Sequence, residues 1–286
     1  MPVRAFWTRP AFAVSAILLL FMGCSDDRAR LGPTTHEIDI VAYDYAFAGA
    51  SELSAGQTTF RFTNKGKVIH ELDVALLKEG TTAQAVVSAL NARTLKPLIE
   101  TSIGILIARP GQRSSVGLST DLVAGRNYLV ICRFQDSASA PMHSRMGMVS
   151  VIHVVPANAT AIPEAHVDTI IGFDYAFRAP VALAPGKHTL TFVNAGKVLH
   201  EVNVALLRRG VTAEQAREAM KAGGDFDGVE EWMGVLFAVG GASTMGRLEV
   251  ALLREREYVI SCSLTNDDHA PTHLALGMFG SIRTTK

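Results

Sequence analysis

GQTTFRFTNKGKVIHELDVALL at residues 56–77 returns as GKHTLTFVNAGKVLHEVNVALL at residues 186–207, with 13 identities in 22 positions. Self-similarity at one offset decides the architecture before any single element is read. The offset is 130 residues, and it holds for Asp44-Tyr45-Ala46-Phe47 against Asp174-Tyr175-Ala176-Phe177, for Tyr128 against Tyr258, and for Gly147-Met148 against Gly277-Met278. The chain is a tandem duplication with no net insertion between copies. Within the repeated stretch, residues 59–63 alternate polar and apolar before a turn at Asn64-Lys65-Gly66, as a half-buried strand does. His70, Leu72 and Val74 then share one face of the next strand, which points His70 to the core and leaves Glu71, like Glu201, pointing away.

Outward from that stretch, Tyr128 to Cys132 and Tyr258 to Cys262 read as inner strands that end at a cysteine. Many short strands between turn signals predict an all-β chain of two tandem β-sandwiches. One segment per copy departs from the strand period: Thr82 to Ala92 and Ala213 to Ala222 are rich in helix formers behind a capping Thr. A short helical insertion is expected there, with a second turn or two over Pro97–Leu106 and Val229–Phe237. The boundaries follow: domain 1 over residues 35–156, a Pro- and Ala-rich linker over 157–165, and domain 2 over 166–286. At 286 residues, two modest separate cores are expected.

The first 23 residues read as an address. Arg4 and Arg9 precede an apolar run from Ala11 to Met22, too short for a comfortable bilayer span and of the size of a signal-peptide core. The run ends Leu20-Phe21-Met22-Gly23-Cys24, which resembles the lipobox of bacterial lipoproteins. That implies lipidation at Cys24, a tether over residues 24–34, and an exported protein anchored to a membrane and facing the periplasm or cell surface. With 27 Lys+Arg balanced by 27 Asp+Glu, no basic surface invites nucleic acid.

Three cysteines exist in all, so Cys132 and Cys262 each stand alone in a domain, where exported proteins normally pair cysteines as disulfides. Metal ligation explains them. His70/His200, Cys132/Cys262, His143/His273 and Met148/Met278 recur in register. A thiolate and two imidazoles with a weak thioether form the donor set of blue-copper electron-transfer sites, whereas zinc takes four strong ligands and rarely Met.

The segments Asn194–Glu201, Tyr258–Cys262 and His273–Met278, repeated as Asn64–Glu71, Tyr128–Cys132 and His143–Met148, resemble the plastocyanin/azurin-type cupredoxins. The resemblance covers nearly all of both repeats. It implies Greek-key sandwiches, one type 1 copper per domain and two per chain, and an electron carrier exchanging with other redox or copper-handling proteins. Ten residues separate each Cys from the following His, as in the long-loop members. Copper storage or delivery, or a copper-free binding module, is the alternative. Two-domain oxidases and nitrite reductases need further histidines, usually as His-x-His. The nine histidines here contain no such pair, so the chain is expected not to be an enzyme. Met142 and Met146 add thioethers to the first loop only and suggest sites tuned apart.

Overall fold

Nine strands of the first copy answer one-to-one to nine of the second in a computed structural model that describes residues 36–157, 166–222 and 226–286. The expected leader, Cys24, its tether and most of the linker lie outside those residues. The first copy contains β1 (His36–Tyr43), β2 (Ala46–Ala48), β3 (Glu52–Ser54), β4 (Gly56–Asn64), β5 (His70–Leu77), α1 (Ala83–Ala92), β6 (Ile99–Ala108), β7 (Gly117–Leu122), β8 (Asn127–Ile131) and β9 (Val149–Val155). The second contains β10 (Asp168–Phe173), β11 (Ala176–Arg178), β12 (Ala182–Leu183), β13 (Gly186–Asn194), β14 (His200–Leu207), α2 (Ala213–Lys221), β15 (Val229–Ala238), β16 (Arg247–Leu252), β17 (Glu257–Ser261) and β18 (Phe279–Thr284). Each copy is a β-sandwich with one short helix, as expected. Thr82 and Thr212 cap the helices through their side chains, and Gln215 completes a capping box in α2.

The expected helical turns over Pro97–Leu106 and Val229–Phe237 are corrected to strands. Only Lys96–Leu98 forms a 3-10 turn. Beyond Pro97, Ile99, Thr101, Ile103, Ile105 and Ile107 are β-branched at every second position, which favours a pleated strand over a helix.

These two strands fuse the copies. β6 lies antiparallel to β15 with Ile105 opposite Val235, and β7 lies antiparallel to β16 with Leu118 opposite Leu248. Both pairs join residues 130 apart, so a local two-fold axis runs between them, as in an isologous dimer. Both sheets therefore continue across the molecule, one as β12-β18-β17-β14-β15-β6-β5-β8-β9-β3 and the other as β11-β10-β13-β16-β7-β4-β1-β2. The two separate cores expected from length are replaced by one main cluster. It includes Phe60, Phe62 and Leu118 of one copy and Phe192, Leu236 and Leu248 of the other.

At the axis, glycine is a steric requirement. A Cβ on Gly104 would stand 2.8 Å from the Val235 carbonyl oxygen, and one on Gly234 would stand 3.0 Å from that of Ile105. Replacing Gly104 by Val forces the strands apart, with an expected loss of about 1–3 kcal/mol or more, as for overpacked cores. Thermal unfolding would register this as a lowered melting temperature, and an unchanged one would show that the seam yields freely.

Candidate metal centres

Each cluster is assembled from two places in the chain. His70 opens β5, Cys132 follows β8, His143 starts the 3-10 turn His143–Met146, and Met148 precedes β9. Backbone bonds lock the second group: Ser144 N–H donates to the Cys132 carbonyl at 2.9 Å, Met148 N–H to that of His143 at 3.1 Å, and Cys132 N–H to that of Met148 at 3.1 Å. Gly147, at φ +113°, closes the turn in a region that favours glycine. The same bonds recur around Cys262, His273, Leu274 and Met278, with Gly277 at φ +116°. The ten-residue loop folds back through His143 N–H to the Phe134 carbonyl at 3.0 Å. Its length therefore does not separate His143 from Cys132. Tyr128 and Tyr258 are buried, and their hydroxyls accept from the backbone N–H of Val123 and Leu253.

In the first copy the Nδ1 atoms of His70 and His143 are 3.1 Å apart, and Cys132 Sγ is 3.9 and 3.5 Å from them. In the second the corresponding distances for His200, His273 and Cys262 are 3.0, 3.9 and 3.3 Å. The point equidistant from the three donors lies roughly 2.0 Å from each in both copies, about a first-row metal–nitrogen bond length. All six residues are buried, and so are Met148 and Met278.

The electrostatics suit neutral imidazoles and a thiol that ionises only on binding a cation. Burial first, and the neighbouring imidazole second, hold His70 and His273 below the ordinary histidine value. Burial pushes the Cys132 thiol up to about 12 and that of Cys262 up to about 11. The N–H groups of Glu71 and Glu201 point at the sulfurs, at 3.3 and 3.5 Å. A metal taken up here displaces the thiol proton.

Around the donors sit Asn64 and Asn194, expected from sequence as turn formers, and the aspartates and tyrosines of the Asp-Tyr-Ala-Phe repeat. Asn64 is fully buried; its amide donates to the carbonyls of Val68 and Ala108, and Asn194 does the same to Val198 and Ala238. It ties the loop before each first histidine to the end of β6 or β15, which is more than turn formation. Asp174 Oδ1 lies 3.1 Å from His200 Nε2, and Asp44 Oδ1 lies 3.6 Å from His70 Nε2. Both aspartates also accept backbone N–H bonds from Lys67 or Lys197, and these are the main cause that lowers their carboxyl values. The rings of Tyr45 and Tyr175 meet those of His143 and His273 at 5.0 Å between centroids, edge-on in the first copy and tilted in the second. The intact Asp-Tyr-Ala-Phe repeat was the available signal.

At the second histidine the copies differ in charge. His143 Nε2 meets Asp136 Oδ1 at 3.2 Å, while His273 Nε2 meets Asn266 Oδ1 at 3.1 Å. Met142 and Met146, expected to tune the first site, are 40 % and 37 % exposed. His269 is exposed, with its N–H donating to Asp267.

The outer face of β5 and β14 is not solvated as alternation implied. Glu201 is buried, accepting from Asn203, Ser263 N–H and the Ser263 hydroxyl. Asp73 is buried too, with Oδ2 3.0 Å from Arg133 Nε and Oδ1 without a protein partner. Burial outweighs Arg133 and pushes Asp73 up to about 6. The folded state thus binds this proton more tightly than the unfolded chain, so the contribution is fully present below about pH 4 and is lost as pH rises through about 6. Asp73→Asn, which copies Asn203, should raise the stability of the metal-free chain at pH 8 relative to wild type, by on the order of 2 kcal/mol, and far less at pH 4. Melting temperatures of both proteins across that range check it; parallel curves would refute it.

Two facing sheets per copy, each copy gathering His, Cys and His in register at one end, decide the fold. It is cupredoxin-like, in tandem. Among solved structures, an auracyanin from the photosynthetic bacterium Roseiflexus castenholzii is 21% identical over 44% of this chain and all of its own, with a TM-score of 0.30. A multicopper oxidase aligns over 88% of this chain and 90% of its own, at 15% identity and TM-score 0.26. The copper nitrite reductase of Nitrosomonas europaea aligns over 88% and 94%, at 16% identity and TM-score 0.26. No protein-family model and no curated protein matches the chain. The expectation that the chain is not an enzyme is withdrawn: an oxidase and a reductase are among the solved structures that align over 88% of it, whereas the auracyanin covers 44%.

Proposed function

We propose that His70, Cys132, His143 and Met148 hold one copper, that His200, Cys262, His273 and Met278 hold a second, and that the chain moves single electrons through them. The observation that carries this reading is the pair of buried Nδ1, Nδ1 and Sγ triangles, alike in both copies, each with a buried methionine nearby in the chain whose backbone N–H donates to the carbonyl of the second histidine. Copper is favoured over zinc because a thiolate with two imidazoles and a thioether is a soft, trigonal donor set. When bound, copper would supply a one-electron couple. The protein's part is to fix the donors before the metal arrives: the backbone bonds between Cys132, His143, Ser144 and Met148 and the Asn64 tie hold three strand ends, and burial excludes water. Donors that cannot relax keep the two oxidation states close in geometry, which lowers the reorganisation needed for each transfer.

The same proposal includes an N-terminal lipid on Cys24 that places the chain at a membrane, with redox or copper-handling proteins as partners. Incorporation of labelled fatty acid, lost in Cys24→Ser, tests the anchor.

Copper stoichiometry and the visible spectrum of the Cu(II)-treated chain test the site. Two coppers with an intense thiolate-to-copper band are expected; a folded chain without that band would overturn the reading. Rapid loss of Cu(I) to a moderate chelator would favour storage or delivery. Turnover of nitrite or dioxygen with a reductant would show that the electrons reach a substrate within the protein itself.

A further inference from the structure

The outer face of the long sheet carries two grooves related by the local two-fold, each walled by both copies. One has a volume of about 750 Å³ and the other about 630 Å³, both within the range of small-molecule sites. Their chemistry has diverged. The smaller groove is floored by Leu90, Leu95, Ile99 and Ile131 of the first copy and closed by Leu199 and Leu264 of the second. Leu199 is 47 % exposed and Val239, beside it, 60 %. Arg93, Lys96 and Arg145 stand around this apolar floor, and among the described residues none of them has an ion-pair partner. The carboxylates in the groove are already neutralised: Asp73 pairs with Arg133 and Glu100 with Arg126. In the larger groove, Glu71, Glu230, Glu231 and Trp232 line the wall with Arg109, Arg113 and Arg208; Arg113 pairs with Asp39 and Arg208 with Asp227, and the positions that answer to Lys96, Arg133 and Arg145 are Phe226, Ser263 and Ala275.

We propose that the smaller groove binds a free amphiphile of small-molecule size, its hydrocarbon body on the leucine and isoleucine floor and its carboxylate or phosphate among Arg93, Lys96 and Arg145. Apolar burial supplies affinity and the three unmatched cations supply the preference for an acid. The larger groove sets glutamates on its wall, has no cation at two of these positions, and among the described residues holds Arg109 as its one arginine without an ion-pair partner, so it does not offer that match. This inference is independent of copper and holds for the metal-free chain.

Calorimetric titration of the full chain with dodecanoate, against dodecanol as the uncharged analogue, tests it. Expected are one dodecanoate per chain, an alcohol at least tenfold weaker, and affinity that falls as salt is raised. Lys96→Glu with Arg145→Glu, both at exposed positions, should weaken dodecanoate at least tenfold with an unchanged melting temperature, while Glu231→Gln in the other groove leaves it unaltered. Equal affinity for acid and alcohol, undiminished binding by the double variant, or capture of the chain only by anionic phospholipid vesicles without binding of the free acid would each overturn the proposal.

Discussion

Replacing Cys132 by Ser should leave a chain that takes up one copper instead of the proposed two and loses about half of the expected thiolate-to-copper absorption; Cys262→Ser should do the same for the other copy. The effect is large because the sulfur is one of three donors around each point, and a serine hydroxyl at neutral pH stays protonated and cannot stand in for a soft thiolate. Serine nearly conserves volume, and Cys132 and Cys262 are fully buried, so the main change is chemical. The double variant should show no such band at all. Copper analysis with the visible spectrum checks this, and a single variant that retained the whole band would remove that cysteine from the site.

Exchanging Asp136 for Asn should raise the reduction potential of the first site by on the order of 50 mV and bring it close to that of the second. The Nδ1 atoms of both histidines face the donor cluster, so the proton of a ligating His143 resides on Nε2 and is donated to Asp136. A carboxylate acceptor makes the imidazole a stronger donor and places negative charge behind it. Both effects favour the more highly charged oxidation state. His273 donates instead to the neutral oxygen of Asn266. The wild-type first site should therefore lie below the second, and Asn266→Asp should lower the second by a similar amount. A tenfold change in relative affinity for the two oxidation states corresponds to about 59 mV, and the 35 % exposure of the Asp136 side chain screens the charge and keeps the shift near or below that value. Redox titration of each site in the Cys132→Ser and Cys262→Ser backgrounds checks it; equal wild-type potentials would assign Asp136 a role in orientation only.

Much of the site was legible from sequence because duplication acts as an internal comparison. Singleton cysteines in register, and histidines four residues before Gly-Met, mark the candidate donors without any coordinates. The partners that hold those donors were less legible. Asp136 and Asn266 lie in a loop and contact tyrosines 91 residues away, a separation that no local period encodes. Their difference is visible in the sequence, but its meaning requires knowing that both face a histidine nitrogen.

The outer face of the long sheet teaches the same lesson. Alternation correctly put His70, Leu72 and Val74 inward, and it put Glu71 and Glu201 on the opposite side. What covers that side depends on sheet pairing across the two-fold, where β6 meets β15 and the walls of two grooves form.

The sequence by itself determined the duplication, the strand faces, the capped helices and the His-Cys-His-Met order, because each is written in local period, turn chemistry or a constant offset. Tertiary structure alone decided that the copies share both sheets, that one contact to a second-histidine nitrogen differs in charge between them, and that a basic apolar groove opens on one side of the seam. These depend on which distant backbones hydrogen-bond to one another, and edge-strand pairing leaves no mark in the sequence of either strand taken alone.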